Sequence, residues 1–298
     1  MSGPLAGTAS LGVRSLVSGP RRHGRVIAAF PAAIYVELRA PSPGPRILAV
    51  VTPAAVALPI AVVARQDAGH GPAGDDTQSA RASEDCLAGL AAGDSVVVGR
   101  GIVEAGRIQV RVRRWWDPVP VLAPLSRQRL EAACAELRAL CSASPRRPGL
   151  DTRAGPAVLA ACCAAGDVPG AAEAARRLVG LGPGLTPSGD DIVAGLLLAL
   201  RLVGGVVADG SGAVSLADQL AATVTGCARD RTTPVSAALL HCAARGAGAA
   251  EVIAVLQALG GRESAGPAVT RLLAAGHTSG ADLAWGIAAG CRAVLAAA

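Results

Sequence analysis

Residues 181–197 read LGPGLTPSGDDIVAGLL. The first half is rich in glycine, proline and hydroxyl side chains, and the second half is apolar with helical spacing. This change predicts a loop that opens a helix, with Ser188 at the N-cap and Asp191 three residues later as its capping-box partner. Capping explains why Ser188 and Asp191 are present, but it explains neither the glycine-rich loop before the helix nor Asp190.

The same pattern occurs twice in the chain. Residues 188–196 (SGDDIVAGL) and 279–287 (SGADLAWGI) both fit S-G-x-D-[IL]-x-x-G-[IL], and a glycine and a threonine precede each copy. The second glycines, Gly195 and Gly286, predict two helices that approach closely, because glycine has no Cβ. Two helices related by a repeat can face each other across a pseudo-twofold axis.

Three loops with small polar residues are predicted to converge on one concave site: 180–191, 229–236 and 276–282. Glycine-rich loops let backbone N–H groups approach a ligand, and arginine with hydroxyl groups suits a carboxylate or a phosphate. For 229–236 a helix start, with Thr233 at the N-cap and Pro234 after it, is an equally good interpretation. The candidate substrate- or anion-binding residues are Gly182, Gly184, Thr186, Ser188, Gly189, Arg231, Thr232, Thr233, Thr278, Ser279 and Gly280.

The candidate catalytic residues are Asp190 and His277, and Asp190 with Asp191 forms a candidate Mg²⁺ site. Asp190 has no counterpart in the second copy, where Ala281 takes its place. We therefore expect Asp190→Asn to weaken ligand binding and leave stability nearly unchanged. Replacement of Ser188 or Asp191 is expected to cost about 1 kcal/mol of stability, as for a lost cap.

Composition excludes several kinds of function. All 28 cationic side chains are arginine, so a Schiff-base lysine and a P-loop lysine are absent. The net charge is +6, but only 2% of residues are aromatic, which argues against nucleic-acid binding by base stacking. No CxxC spacing occurs among the 8 cysteines. Without a long uninterrupted apolar run, we expect a soluble cytoplasmic protein that does not contact a membrane.

The pattern along the chain predicts an α+β protein with an N-terminal small β-barrel or sandwich and a C-terminal all-α domain. Residues 1–24 are expected to be loose, 25–122 to form the β-rich domain, and 123–298 to form the helical domain. Residues 66–85 are expected to form a long exposed loop. The expected helices span 126–141, 153–165, 169–179, 189–207, 215–228, 234–245, 249–259, 264–275 and 280–297.

Four quoted motifs carry a resemblance to a known family. WDP (116–118), GLGPGLTPSGDD (180–191), RTTPVS (231–236) and GHTSGAD (276–282), in this order, resemble the AllH-like family, long catalogued as a domain of unknown function. Its namesake is similar to a subunit of bacterial oxamate carbamoyltransferase, in anaerobic allantoin (purine) catabolism. The resemblance is expected to cover residues 24–298, more loosely in the first half.

The resemblance implies a subunit of a carbamoyltransferase that acts on carbamoyl phosphate and oxamate, or on a related small amide, together with other subunits. The phosphate loop of aspartate-type carbamoyltransferases is missing, so the fold should differ from theirs. Two alternatives stay open: a non-catalytic subunit that binds a partner or an effector, and a standalone Mg²⁺-dependent enzyme that handles a phosphate ligand.

Overall fold

A computed structural model describes residues 5–39, 46–65, 87–261 and 264–297. The chain divides into two compact units, with the division after Pro118. The sequence prediction placed this division between 122 and 123. The predicted loop at 66–85 lies outside the described residues.

The first unit is a closed β-barrel. Its strands are β1 (Leu5–Ser10), β2 (Arg22–Phe30), β3 (Ala33–Leu38), β4 (Ile47–Val51), β5 (Ala61–Arg65), β6 (Ser95–Gly99), β7 (Ile102–Ala105) and β8 (Ile108–Trp116). They follow the order β1-β5-β4-β3-β2-β6-β7-β8, and β8 closes onto β1. The β1–β8 and β4–β5 pairs are parallel and the others antiparallel. Of the two predicted β architectures, the barrel is the one observed.

The prediction of a loose segment at 1–24 is wrong for its described part. Strand β1 pairs with β5 on one side and with β8 on the other, and helix α1 (Arg14–Val17) follows a 3₁₀ turn at Leu11–Val13. Small side chains in LAGTAS give a weak strand pattern, but pairing on both edges buries Leu5 and Ala9. Tertiary context decided the structure here, as is common for strands.

The second unit is helical. Its described helices are α2 (Arg127–Ala143), α3 (Gly155–Ala165), α4 (Val168–Leu178), α5 (Ser188–Leu202), α6 (Ser211–Arg231), α7 (Pro234–Ala243), α8 (Ala250–Leu259), α9 (Ala265–Ala274) and α10 (Ser279–Ala297). The predicted fold class, a β-barrel followed by an all-α domain, is confirmed. Among the described residues, no helix is both long enough and apolar enough to cross a membrane.

Helices α5 and α10 form the centre of this unit and carry the two copies of the repeat. A Cβ atom on Gly195 would overlap the carbonyl oxygen of Leu283, and one on Gly286 would overlap that of Ile192. Ile192 and Leu283 occupy equivalent positions in the repeat, so the contact is reciprocal. The predicted close approach at both glycines is confirmed, and the reciprocal contacts relate the two helices by a pseudo-twofold axis.

Candidate functional site

Both repeat helices begin in the same way. The N–H of Gly189 donates to the carbonyl of Leu181 at 2.9 Å, and the N–H of Gly280 donates to the carbonyl of Ala275 at 3.0 Å. A side chain on either glycine would collide with the end of the preceding helix, α4 or α9. Each copy is therefore a pair of helices whose loop folds back over the start of the second helix.

Hydroxyl groups from the two copies pair across the pseudo-twofold axis. Thr186 Oγ1 lies 3.1 Å from Ser279 Oγ, and Ser188 Oγ lies 3.3 Å from Thr278 Oγ1. In each pair a threonine from the loop of one copy contacts the serine that opens the helix of the other. The two glycine-containing loops are thus held together by their polar side chains.

Two carboxylates, Asp191 and Asp282, lie behind these hydroxyl pairs. Asp191 is 7% exposed and Asp282 is 0% exposed. The Oδ2 atom of each has no hydrogen-bond partner among the described residues. Buried carboxylate oxygens are normally paired, so two unpaired ones at equivalent positions are unusual. We call Asp191 and Asp282 the carboxylate pair.

Burial controls the protonation of the carboxylate pair. It raises the pKa of Asp191 well above its ordinary value, the charge of Asp282 raises that pKa further, and hydrogen bonds from Ser279 and Thr186 oppose the change. Burial also raises the pKa of Asp282, against hydrogen bonds from Ser188, Gly149 and Thr278. Since both shifts favour the neutral acid, the pair can keep a proton above the pH at which an exposed aspartate loses it.

The segment 146–149 covers the Asp282 side of the pair. The N–H of Gly149 donates to Asp282 Oδ1 at 2.9 Å, and Arg146 Nη1 donates to the carbonyl of His277 at 3.3 Å. A Cβ on Gly149 would overlap Ser188 Oγ. A glycine at 149 therefore allows the backbone to reach the buried carboxylate.

Asp190 is enclosed by internal donors. It accepts hydrogen bonds from the N–H of Gly180 at 2.7 Å, from Ser236 Oγ at 2.6 Å and from Thr232 Oγ1. It is 1% exposed. This side chain ties the glycine-rich loop to the α6–α7 connection. Asp190 was expected to face a ligand, but in this structure both of its carboxylate oxygens accept hydrogen bonds from the protein.

The predicted capping box is also wrong. Helix α5 begins at Ser188, and Pro187 occupies the N-cap position without a side-chain cap. The Ser188 hydroxyl contacts Thr278, and Asp191 is directed to Ser279 and Thr186 instead of to its own helix start. The side chains that could cap α5 therefore interact with the loop and the first turn of α10, or with Thr186 in the preceding loop, instead of with the backbone at the start of α5.

The α6–α7 connection supports the site without offering free groups from its threonines. Thr233 caps α7 by accepting from the N–H of Ser236 at 3.1 Å, and its hydroxyl donates to the carbonyl of Leu185 at 2.5 Å. Thr232 is bound to Asp190. The helix-start interpretation of this motif is therefore confirmed. Arg231 is exposed, and its carbonyl lies so close to Gly180 that a Cβ there would overlap it.

The remaining predicted residues lie around the hydroxyl pairs. His277 is exposed in the short loop before α10. Gly182 and Gly184 adopt φ values of 117° and 95°, in the left-handed region, and no atom lies within 4 Å of a Cβ built on Gly184. The three predicted loops do come together, since 180–191 contacts both other loops.

The described residues contain no group of three or more histidine, cysteine, aspartate or glutamate side chains placed to hold a metal ion. Asp190 is occupied by its own donors. The oxygens left for a cation are therefore the free Oδ2 atoms of Asp191 and Asp282. A Mg²⁺ ion there would need further oxygen ligands from water or from a substrate.

Sequence reasoning missed two residues of the site, Asp282 and Gly149. Asp282 is equivalent to Asp191 in the repeat, so the repeat is the signal that could have identified it. Gly149 stands in an unremarkable turn, RRPG, and only the fold brings it to Asp282.

A family model described as oxamate carbamoyltransferase subunit AllH matches residues 178–291. This range begins at the end of α4 and covers both copies of the repeat and every predicted site residue. It is shorter than the expected 24–298 and leaves the barrel unmatched. No solved structure matches the chain significantly. Over residues 178–291, the helical unit shows the AllH family resemblance that its glycine-rich motifs indicated.

Proposed function

We propose that this chain is the AllH-type subunit of an oxamate carbamoyltransferase-like enzyme, and that the carboxylate pair binds the amide or carbamoyl group of a small substrate. The observation that carries the proposal is the pair of buried carboxylates with free Oδ2 atoms, at equivalent positions of two helix starts. The family model that covers both copies supports the choice of substrate class.

A pair that shares one proton complements a primary amide. The protonated carboxyl group donates to the carbonyl oxygen, and the ionised one accepts from the NH₂ group. Asp191 is the better donor, since burial raises its pKa well above the ordinary value. Asp282, held by the N–H of Gly149, is the better acceptor. Oxamate and carbamoyl phosphate both carry this –C(=O)NH₂ group.

In carbamoyl transfer to oxamate, the amide nitrogen of oxamate attacks the carbamoyl carbon. The C–O bond to phosphate breaks, phosphate leaves with the bonding electrons, and the nitrogen gives up one proton. In this proposal Asp282 accepts that proton as a general base. Orientation by the hydroxyl pairs, such as Thr186 with Ser279, then contributes by holding the two reactants together.

The proposal is tested by calorimetric titration of the purified chain with oxamate and with carbamoyl phosphate. We expect binding of at least one of them to the wild type. Asp191→Asn and Asp282→Asn should each weaken binding about tenfold or more, because a hydrogen bond to a charged group contributes about 1.5–3 kcal/mol. Asp218→Asn, which alters an exposed carboxylate paired with Arg201, is the matched control and should bind as the wild type does.

The same titration includes Mg²⁺. If Mg²⁺ alone binds the wild type and both pair variants abolish this, the carboxylates hold a metal and the amide interpretation fails. Equal oxamate and carbamoyl phosphate affinities in the wild type and both pair variants would contradict the proposal, provided that circular dichroism shows all chains folded. Transfer activity is then measured with the other subunits present, since the family name describes one subunit of an enzyme.

A further inference from the structure

A second candidate site lies in the helical unit, between α2 and α10. It is a cavity of about 450 Å³, which is within the range of small-molecule sites. One face of α10 forms its floor, through the small side chains of Ala281, Ala284 and Ala288. The segment that carries Arg146 and Pro148 also lines it. The carboxylate pair is not part of its lining.

Four arginines line this cavity: Arg138, Arg146, Arg147 and Arg292. None of the described residues in the lining is acidic. Within the described ranges, none of the four forms an ion pair with a carboxylate. Surface arginines elsewhere in the unit, such as Arg176 and Arg177, are paired with Glu173. Among the described residues, Arg146 and Arg147 donate to backbone carbonyls and none of the four has a carboxylate partner, so their positive charges favour a ligand with several negative charges.

An aromatic ring lies beside the arginines. Trp285 is half-buried and lines the cavity next to Ala281 and Ala288 on α10. Trp285 is also the one tryptophan of the helical unit, because the other two, Trp115 and Trp116, belong to β8. A flat apolar surface beside a polycationic rim suits a ligand with a flat ring and several phosphates, since base–aromatic stacking adds to the phosphate contacts.

We propose that this cavity binds a nucleoside di- or triphosphate, with the base on Trp285 and the phosphates among Arg138, Arg146, Arg147 and Arg292. A carbamoyl phosphate molecule would fill only a small part of the volume. The segment from Arg146 to Gly149 connects the two places: its arginine lines the cavity and its glycine donates to Asp282. Nucleotide binding would therefore act on the carboxylate pair through four consecutive residues.

The test is a titration of the full-length chain with ADP in Mg²⁺-free buffer, followed by tryptophan fluorescence and by calorimetry. We expect saturable binding with quenching that Trp285→Phe abolishes. Arg138→Ala and Arg292→Ala should each weaken ADP binding about tenfold, as expected for a lost charge-assisted contact. Trp285→Ala should have an effect of similar size. Arg177→Ala removes the same charge from an exposed position outside the cavity and should leave the affinity unchanged.

Three results would overturn the proposal. The first is no ADP binding at concentrations up to about 1 mM, which corresponds to a binding free energy of about −4 kcal/mol. The second is equal affinity for inorganic phosphate and ADP, which would leave Trp285 without a role. The third is an equal loss of affinity in Arg177→Ala and Arg138→Ala, which would indicate nonspecific charge attraction. Asp191→Asn distinguishes this site from the proposed transferase site, because it should weaken the binding of oxamate or carbamoyl phosphate about tenfold or more and leave ADP binding intact. The nucleotide proposal can thus fail while the transferase proposal holds, and the reverse.

Discussion

The two copies of the repeat differ in the chemistry of one position in the first turn of each helix, 190 in the first copy and 281 in the second. In the first copy Asp190 accepts three hydrogen bonds and joins α5 to the α6–α7 connection. In the second copy Ala281 takes its place and borders the arginine-lined cavity. The serine that opens each helix, the aspartate three residues later (Asp191 or Asp282) and the glycines are the same in both copies. The shared residues hold the two helices together. The residue type at position 190 or 281 matches what surrounds that position: internal donors around Asp190, and the arginine-lined cavity beside Ala281.

Asp190→Ala should show the largest effect. It would leave the Gly180 N–H and the hydroxyls of Thr232 and Ser236 buried without an acceptor, so we expect a loss of about 3–5 kcal/mol in the free energy of unfolding. Ala281→Ser, at the equivalent position, should change it by less than about 1 kcal/mol. Urea denaturation measures both. Similar losses at the two positions would remove the distinction between the copies.

Gly286→Ala tests what the copies share. The added methyl group would overlap the carbonyl of Ile192 and force α5 and α10 apart, so we expect a loss of about 2–3 kcal/mol. Gly195→Ala should cost a similar amount if the pseudo-twofold contact is symmetric. Gly226→Ala, in α6 and with open space around it, is the control and should stabilise the chain by about 0.5–1 kcal/mol. If Gly286→Ala left the free energy of unfolding unchanged, this would contradict the close contact between α5 and α10.

Asp191→Asn should raise stability at neutral pH by roughly 1 kcal/mol, as is common when a functional group is removed. Burial raises the pKa of Asp191 in the folded state, so between about pH 4 and that raised value the folded chain binds more protons than the unfolded chain. Wild-type stability therefore falls as pH rises through this window. Thermal melts from pH 4 to 8 should show a shallower fall for Asp191→Asn. A steeper fall of stability with pH in Asp191→Asn than in the wild type would mean that the folded protein stabilises the ionised form of Asp191.

Ser188→Ala and Ser279→Ala should have the smallest effects. Each removes one member of a hydroxyl pair, and a hydrogen bond of this kind contributes about 0.5–1.5 kcal/mol. Equal losses, near the lower end of that range, are expected because the pairs are equivalent. Thermal denaturation of both variants makes the comparison. A much larger loss for Ser188→Ala would support the N-cap role that the structure does not give it.

Local pattern predicted much of this molecule, and its limits are specific. The nine helices described in the second unit follow from apolar spacing, and the close approach at Gly195 and Gly286 follows from the repeat. Asp190 was expected to be free for a ligand and Asp191 to cap α5, but Asp190 accepts three internal hydrogen bonds and Asp191 does not cap α5. Sequence spacing shows which residues can cap a helix and not which other helix is in reach. Thr232 and Ser236, more than forty residues further along the chain, decide the environment of Asp190.

The barrel was predicted less completely for a related reason. Val- and Ile-rich runs identified most strands, but β1 is formed from LAGTAS, whose small side chains are equally typical of a loop. Its strand conformation depends on pairing with β5 and β8, and β8 begins about a hundred residues later. Nonlocal pairing of this kind leaves no mark in the local sequence.

The parallel pairing of β1 with β8 also has a consequence for biosynthesis. Because β8 ends at Trp116, the sheet cannot close until nearly the whole first unit has emerged from the ribosome. Until then β1 and the growing sheet expose strand edges, which are sites for chaperone capture or for association between nascent chains. A fold with so large a sequence separation between its closing strands is expected to form slowly. Yield in cells should therefore fall when translation between β1 and the end of β8 is slowed, because the strand edges stay exposed for longer.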